Sequence, residues 1–148
     1  MSAIIILMVT GCVALGLAYL TLRRHRSAST TTFTVLMLSA AVWTIGYALE
    51  LGQDQLVMAE LLAKIQYLGI VTLPSAWLLF ALTYTKRRSR IAGSKLLWLM
   101  LIEPLITLIL AWSYPANRWL WADTSYVTYN AMQIAEFVPG WWYGINVA

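Results

Sequence analysis

Charged side chains are scarce in this sequence. Lys, Arg, Asp and Glu together make up 11% of its 148 residues, against about 25% in an average soluble domain. So few charges could not clothe the surface of a water-soluble fold that is 61% hydrophobic, which makes a membrane protein the first expectation. Cysteine is limited to Cys12, which excludes an intrachain disulfide and leaves the redox compartment unread. Histidine is limited to His25, set between Arg24 and Arg26 with no Cys, Asp or Glu beside it. That context excludes a metal centre or a catalytic triad. There is no glycine-rich phosphate loop, no CxxC, no HExxH and no convincing internal repeat. No catalytic residue, metal ligand or cofactor can be named, and the chain performs no covalent chemistry unaided.

Long apolar runs, by contrast, are plentiful. Four of them occupy about 3–22, 33–51, 61–85 and 96–112. Each is close to the roughly 20 residues that cross a hydrocarbon core about 30 Å thick at 1.5 Å per residue. A fifth run begins at about Trp141, and the chain ends at Ala148 before it could cross, so the fold expected is an all-α membrane bundle cut within its fifth helix. The first run is not read as a cleaved leader. Its basic residues follow the run instead of preceding it, and the run is longer than the roughly 7–15 residues of a leader.

The positive charges set the topology. Three lie at Arg23, Arg24 and Arg26, and five at Lys86, Arg87, Arg88, Arg90 and Lys95, so eight of the ten Lys and Arg follow spans one and three. All six acids avoid these two loops. Basic loops stay in the cytoplasm, so the N-terminus is expected outside the inner membrane and the spans alternate. The cations are topology anchors and contacts for anionic lipid; they do not indicate nucleic acid.

Several polar and special residues fall inside or beside the spans. Pro74 lacks an N–H for the carbonyl of Ile70, and Pro104 for that of Met100, so kinks are expected in spans three and four. Gly69, Thr72 and Ala76 put small residues on one face of span three, where a neighbouring backbone can approach. Lys64 lies one turn after Glu60, and a contact with Glu50 across the short loop 52–55 is expected. Glu103 sits mid-span before Pro104. An ionised carboxylate there costs about 2.5–3.5 kcal/mol on insertion scales, so it is either a ligand- or proton-responsive group or a protonated acid bound to a neighbour. The loop 113–140 is rich in aromatics, among them Trp121. These form an interfacial belt or line a ligand cleft.

The blocks Trp43, Tyr47-Ala48-Leu49-Glu50, Lys64-Ile65-Gln66-Tyr67-Leu68-Gly69-Ile70, Pro74, Trp77-Leu78-Leu79-Phe80 and Tyr84-Thr85, followed by Pro104, Trp121 and Gly140-Trp141-Trp142, resemble the N-terminal seven-transmembrane region of bacterial sensor histidine kinases, which is also found on some diguanylate cyclases. The segment from Glu50 to Phe80 is the specific part. The resemblance implies a seven-helix input module ahead of a cytoplasmic output domain in the same chain, often with a PAS domain between, and a homodimer if that output is a kinase. It departs from the pattern at Glu103, where an apolar residue is expected. His25 is in the wrong context for a phosphoacceptor. Glu50, Lys64, Gln66, Glu103 and Trp121 are the candidate sensing or structural polar sites. The competing readings are a transporter or channel with Glu103 as its ion or proton site, and a small membrane assembly partner.

Overall fold

A computed structural model describes residues 2–23, 27–85, 95–129 and 132–147. Helix α1 spans Ser2–Leu22, α2 Ala28–Glu50, α3 Leu56–Tyr84 and α4 Lys95–Trp112. Strands β1 (Trp121–Tyr129) and β2 (Met132–Pro139) follow, then a short helix α5 (Trp141–Val147). Three helices, α1 to α3, are each long and apolar enough to cross a membrane. Of the expected topology anchors, Arg23 is described, with its guanidinium 4.7 Å from the centroid of the Tyr19 ring. Arg24, Arg26, Lys86, Arg87, Arg88 and Arg90 lie outside the described residues.

Two helices start earlier than the apolar runs do. The Ser/Thr segment 27–32, which reads as a polar turn, instead holds the N-cap Ser27 and the first residues of α2. The Ser27 hydroxyl accepts from the amide of Thr30 at 3.1 Å, and the Thr30 hydroxyl accepts from the amide of Ser27 at 2.8 Å. This reciprocal box satisfies two amides that would otherwise be orphaned at the helix start. Helix α3 begins at Leu56, ahead of Glu60, and its 29 residues reach about 43 Å at 1.5 Å per residue. That exceeds the hydrocarbon thickness. Pro74 and Pro104 are both accommodated inside continuous α-helix.

The helices pack in sequence order, α1 on α2, α2 on α3, α3 on α4. Large apolar side chains such as Ile5, Val9, Val13 and Leu20 of α1 remain exposed, as lipid-facing residues must. The α2–α3 contact is the most intimate. A Cβ on Gly69 would lie 2.5 Å from the carbonyl oxygen of Ser39 and 2.8 Å from the amide nitrogen of Trp43, so only glycine allows this approach. Beside it, Thr72 donates to the Ser39 hydroxyl at 2.9 Å, and Ser39 donates to the carbonyl of Val35 at 2.9 Å. Nearer the far end of the pair, the hydroxyls of Thr32 and Thr83 meet at 3.0 Å. Bonds of this kind contribute about 0.6 kcal/mol each on average in membranes, up to about 1.7.

The loop expected at 113–140 is largely an antiparallel hairpin, pairing Thr124 with Phe137 and Tyr129 with Met132. Its residues explain this: Thr, Tyr, Val, Ile and Phe recur on either side of Asn130-Ala131, and such side chains suit strands. A bulge between Trp121 and Asp123 shifts the register. One extra residue reverses the alternation, so Trp121 and Thr124 turn to the same side.

Candidate functional site

The hairpin closes over one end of the helices, and Trp121 is the hub of the closure. It is 3% exposed. Its ring meets Tyr67 of α3 edge-on at 5.2 Å between centroids, Tyr114 edge-on at 5.6 Å and Phe137 of β2 at 4.9 Å. Tyr67 belongs to a face of α3 with Ala63 and Val71, and these pack with Leu110, Ala111 and Leu120 into the buried core. The spacing of four residues from Ala63 to Tyr67 to Val71 is what keeps them on one helix face.

Polar contacts fasten the hairpin to the part of α3 that extends past its apolar run. The Tyr114 hydroxyl lies 3.1 Å from the Thr124 hydroxyl, which donates to the Glu60 carboxylate at 2.8 Å. With its own proton committed to Glu60, Thr124 accepts from Tyr114. Lys64, one turn along from Glu60, donates to the carbonyl of Tyr114 at 2.8 Å. The expected Glu50–Lys64 contact is therefore replaced: Lys64 is bound to Tyr114, and Glu50 accepts from the amide group of Gln66. Gln66 is 4% exposed and crosses above Gly46, where a Cβ would lie 2.5 Å from its Cγ.

Between the helix ends and the hairpin lies a cavity of about 370 Å³. Tyr47 and Glu50 of α2, Gln66 and Tyr67 of α3, and Trp121 form its walls, with Glu136 and Phe137 of β2 and Tyr143 of α5 completing them. Three of the five residues singled out in the sequence, Glu50, Gln66 and Trp121, thus meet at one place. Lys64 serves the adjoining fastening. Glu103 is elsewhere, in α4, where Thr107 donates to its carboxylate at 3.0 Å and the Trp142 indole donates to Thr107 at 3.1 Å. Thr107 is fully buried, so Glu103 ends a chain of hydrogen bonds joining α4 to α5. Phe137 is one of the aromatics of the 113–140 segment read as a belt or a cleft lining; Glu136 and Tyr143 were not singled out. The alternation of Ile134, Glu136 and Val138 with Gln133, Ala135 and Phe137 gives no sign of which face meets the helices. No group of His, Cys, Asp and Glu suited to a metal occurs among the described residues.

A family model described as the N-terminal 7TM region of histidine kinase matches residues 6–148. The chain belongs to that family. As a histidine-kinase 7TM region it is a membrane protein of signal transduction, from the sensory part that precedes catalysis. Comparison with curated proteins and with solved structures returned no match. Four of the residues lining the cavity of this 7TM region, Tyr47, Glu50, Gln66 and Tyr67, lie in blocks that carry its resemblance to the family.

Proposed function

We propose that this chain is the sensory input part of a two-component sensor histidine kinase in the inner membrane, with the cavity beneath the hairpin as its stimulus site. Four spans, α1 to α4, cross the bilayer with the N-terminus and hairpin outside. The basic segments 23–26 and 86–95 lie in the cytoplasm. The complete protein carries its cytoplasmic output domain in the same chain and works as a homodimer. Membership of the family supports the role. The observation that carries the site is that one cavity touches α2, α3, the hairpin and α5 together. An occupant there bridges elements that pack against one another, and a ligand shifts an equilibrium only by binding one arrangement better than another.

Filling the cavity should imitate or block its occupant. In the complete kinase in proteoliposomes, Tyr47→Trp and Tyr143→Trp are each expected to change basal autophosphorylation by about threefold or more, roughly 0.6 kcal/mol in the balance of states. Val57→Trp is the control, because Val57 is 81% exposed. Unchanged phosphorylation in both cavity variants would remove the stimulus site from this place.

The orientation has its own check. A single cysteine from Ser125→Cys, in a Cys12→Ser background, is expected to react with a membrane-impermeant maleimide on intact cells after removal of the outer barrier. Ser125 is exposed on β1. Reaction only after the inner membrane is broken would reverse the topology.

A further inference from the structure

We infer that the cavity beneath the hairpin binds a small organic cation, an ammonium group carrying alkyl substituents. The inference rests on the cavity being the stimulus site and names the ligand class. Two acids border the cavity, Glu50 in its wall and Glu136 at its exposed rim, and no Lys, Arg or His does among the described residues. The nearest cation on α3, Lys64, is turned to the Tyr114 carbonyl. The charge of Glu50 is thus left for an occupant to balance, and a neutral molecule would take water from that carboxylate without replacing its favourable interaction.

The other walls suit the same class. Tyr47, Tyr67, Trp121, Phe137 and Tyr143 all border the space, and aromatic faces attract cations, most strongly when water is excluded. One carboxylate is held in place before any ligand arrives. Gln66 is pinned over Gly46 and donates to one oxygen of Glu50, so the other oxygen is oriented without further loss of freedom. The volume, about 370 Å³, is near the lower end of ligand sites and fits a molecule of choline size better than a peptide. The position, at the ends of membrane helices, admits the ammonium of a lipid headgroup as readily as a free amine.

The test is equilibrium binding to the complete protein in nanodiscs of phosphatidylglycerol, with choline, tetramethylammonium and ethylammonium as probes. Choline or tetramethylammonium is expected to saturate below about 10 mM. The uncharged carbon isostere 3,3-dimethyl-1-butanol should bind at least about tenfold more weakly. Glu50→Gln removes the charge but can still accept from Gln66, so the melting temperature should hold while choline affinity falls about tenfold or more. Asp54→Asn, in the exposed α2–α3 turn, should change neither. Absence of saturable binding by all three cations, equal binding of the isostere, or undiminished binding by a folded Glu50→Gln protein would overturn the inference.

Repeating the titration with phosphatidylethanolamine in the disc separates the sources. Competition assigns the site to a headgroup, and its absence assigns it to a free amine. Autophosphorylation read alongside separates this inference from the sensory role. Cation binding with no effect of cavity variants on phosphorylation defeats only the role. A phosphorylation response to cavity variants with no cation binding defeats only the ligand class.

Discussion

Gly69→Val is expected to drive α2 and α3 apart and to leave little correctly folded protein in the membrane. Even the first added carbon would sit 2.5 Å from the Ser39 carbonyl oxygen and 2.8 Å from the Trp43 amide. Those are backbone atoms of a hydrogen-bonded helix and cannot swing aside as a side-chain tip could. Overpacking of this kind costs about 1–3 kcal/mol. The displaced α3 would also lose its bonds at Ser39, Thr32 and Glu50, at about 0.6 kcal/mol each. A total of about 3–5 kcal/mol is a large share of a typical folding stability of about 5–15 kcal/mol. The measurement is a thermal melt of the detergent-solubilised complete protein followed by size-exclusion chromatography. Gly16→Val is the control, because nothing lies within 4 Å of a Cβ at that position. A melt for Gly69→Val as high as that of the control would show that the two backbones do not approach as described.

The second large effect is at Trp121. Trp121→Ala removes the ring that Tyr67, Tyr114 and Phe137 all pack against, and truncating a buried Trp costs about 3–5 kcal/mol. Most of that loss should fall on the hairpin, because the ring is its main attachment to the helices. Amide hydrogen exchange over 121–139 is expected to rise about a hundredfold or more, while α1 and the middle of α2 keep their protection. Trp121→Phe should lie between the two. Undisturbed hairpin protection in Trp121→Ala would mean that the Thr124–Glu60 and Lys64–Tyr114 bonds hold the hairpin alone.

The helices were legible because a membrane span writes itself in composition: α1 is apolar from Ala3 to Leu22 except for Thr10 and Thr21 and needs no partner to be recognised. The ends of α2 and α3 were less legible. Ser27 and Thr30 are as suited to a turn as to a capping box, and the extra first turn of α3 is outside the apolar run. The hairpin was hidden for a different reason. Aromatic residues at a bilayer surface are common in loops, so Tyr126 and Tyr129 read as anchoring side chains before they read as strand residues. The site was half legible. Glu50 and Gln66 stand out as polar residues at the ends of apolar spans, but their pairing depends on Gly46 leaving room for Gln66. For Lys64 the sequence pointed to the acids Glu60 and Glu50, and nothing in it pointed to the carbonyl of Tyr114, which is 50 positions away along the chain.

The tight crossing at Gly69 has a mechanical consequence. Two rods that touch most closely at one point turn about that point. Gln66 is three residues from it on the cavity side, and Thr83 is fourteen residues from it on the other, so the two arms measure about 4.5 Å and about 21 Å at 1.5 Å per residue. The short arm carries the grip on Glu50 and the long arm the Thr32–Thr83 contact. Turned about Gly69 as a rigid body, α3 would be a lever with an advantage of nearly fivefold. A displacement of about half an ångström at Gln66 becomes about 2 Å at Thr83, comparable to the helix shifts of about 1–2 Å by which other proteins switch.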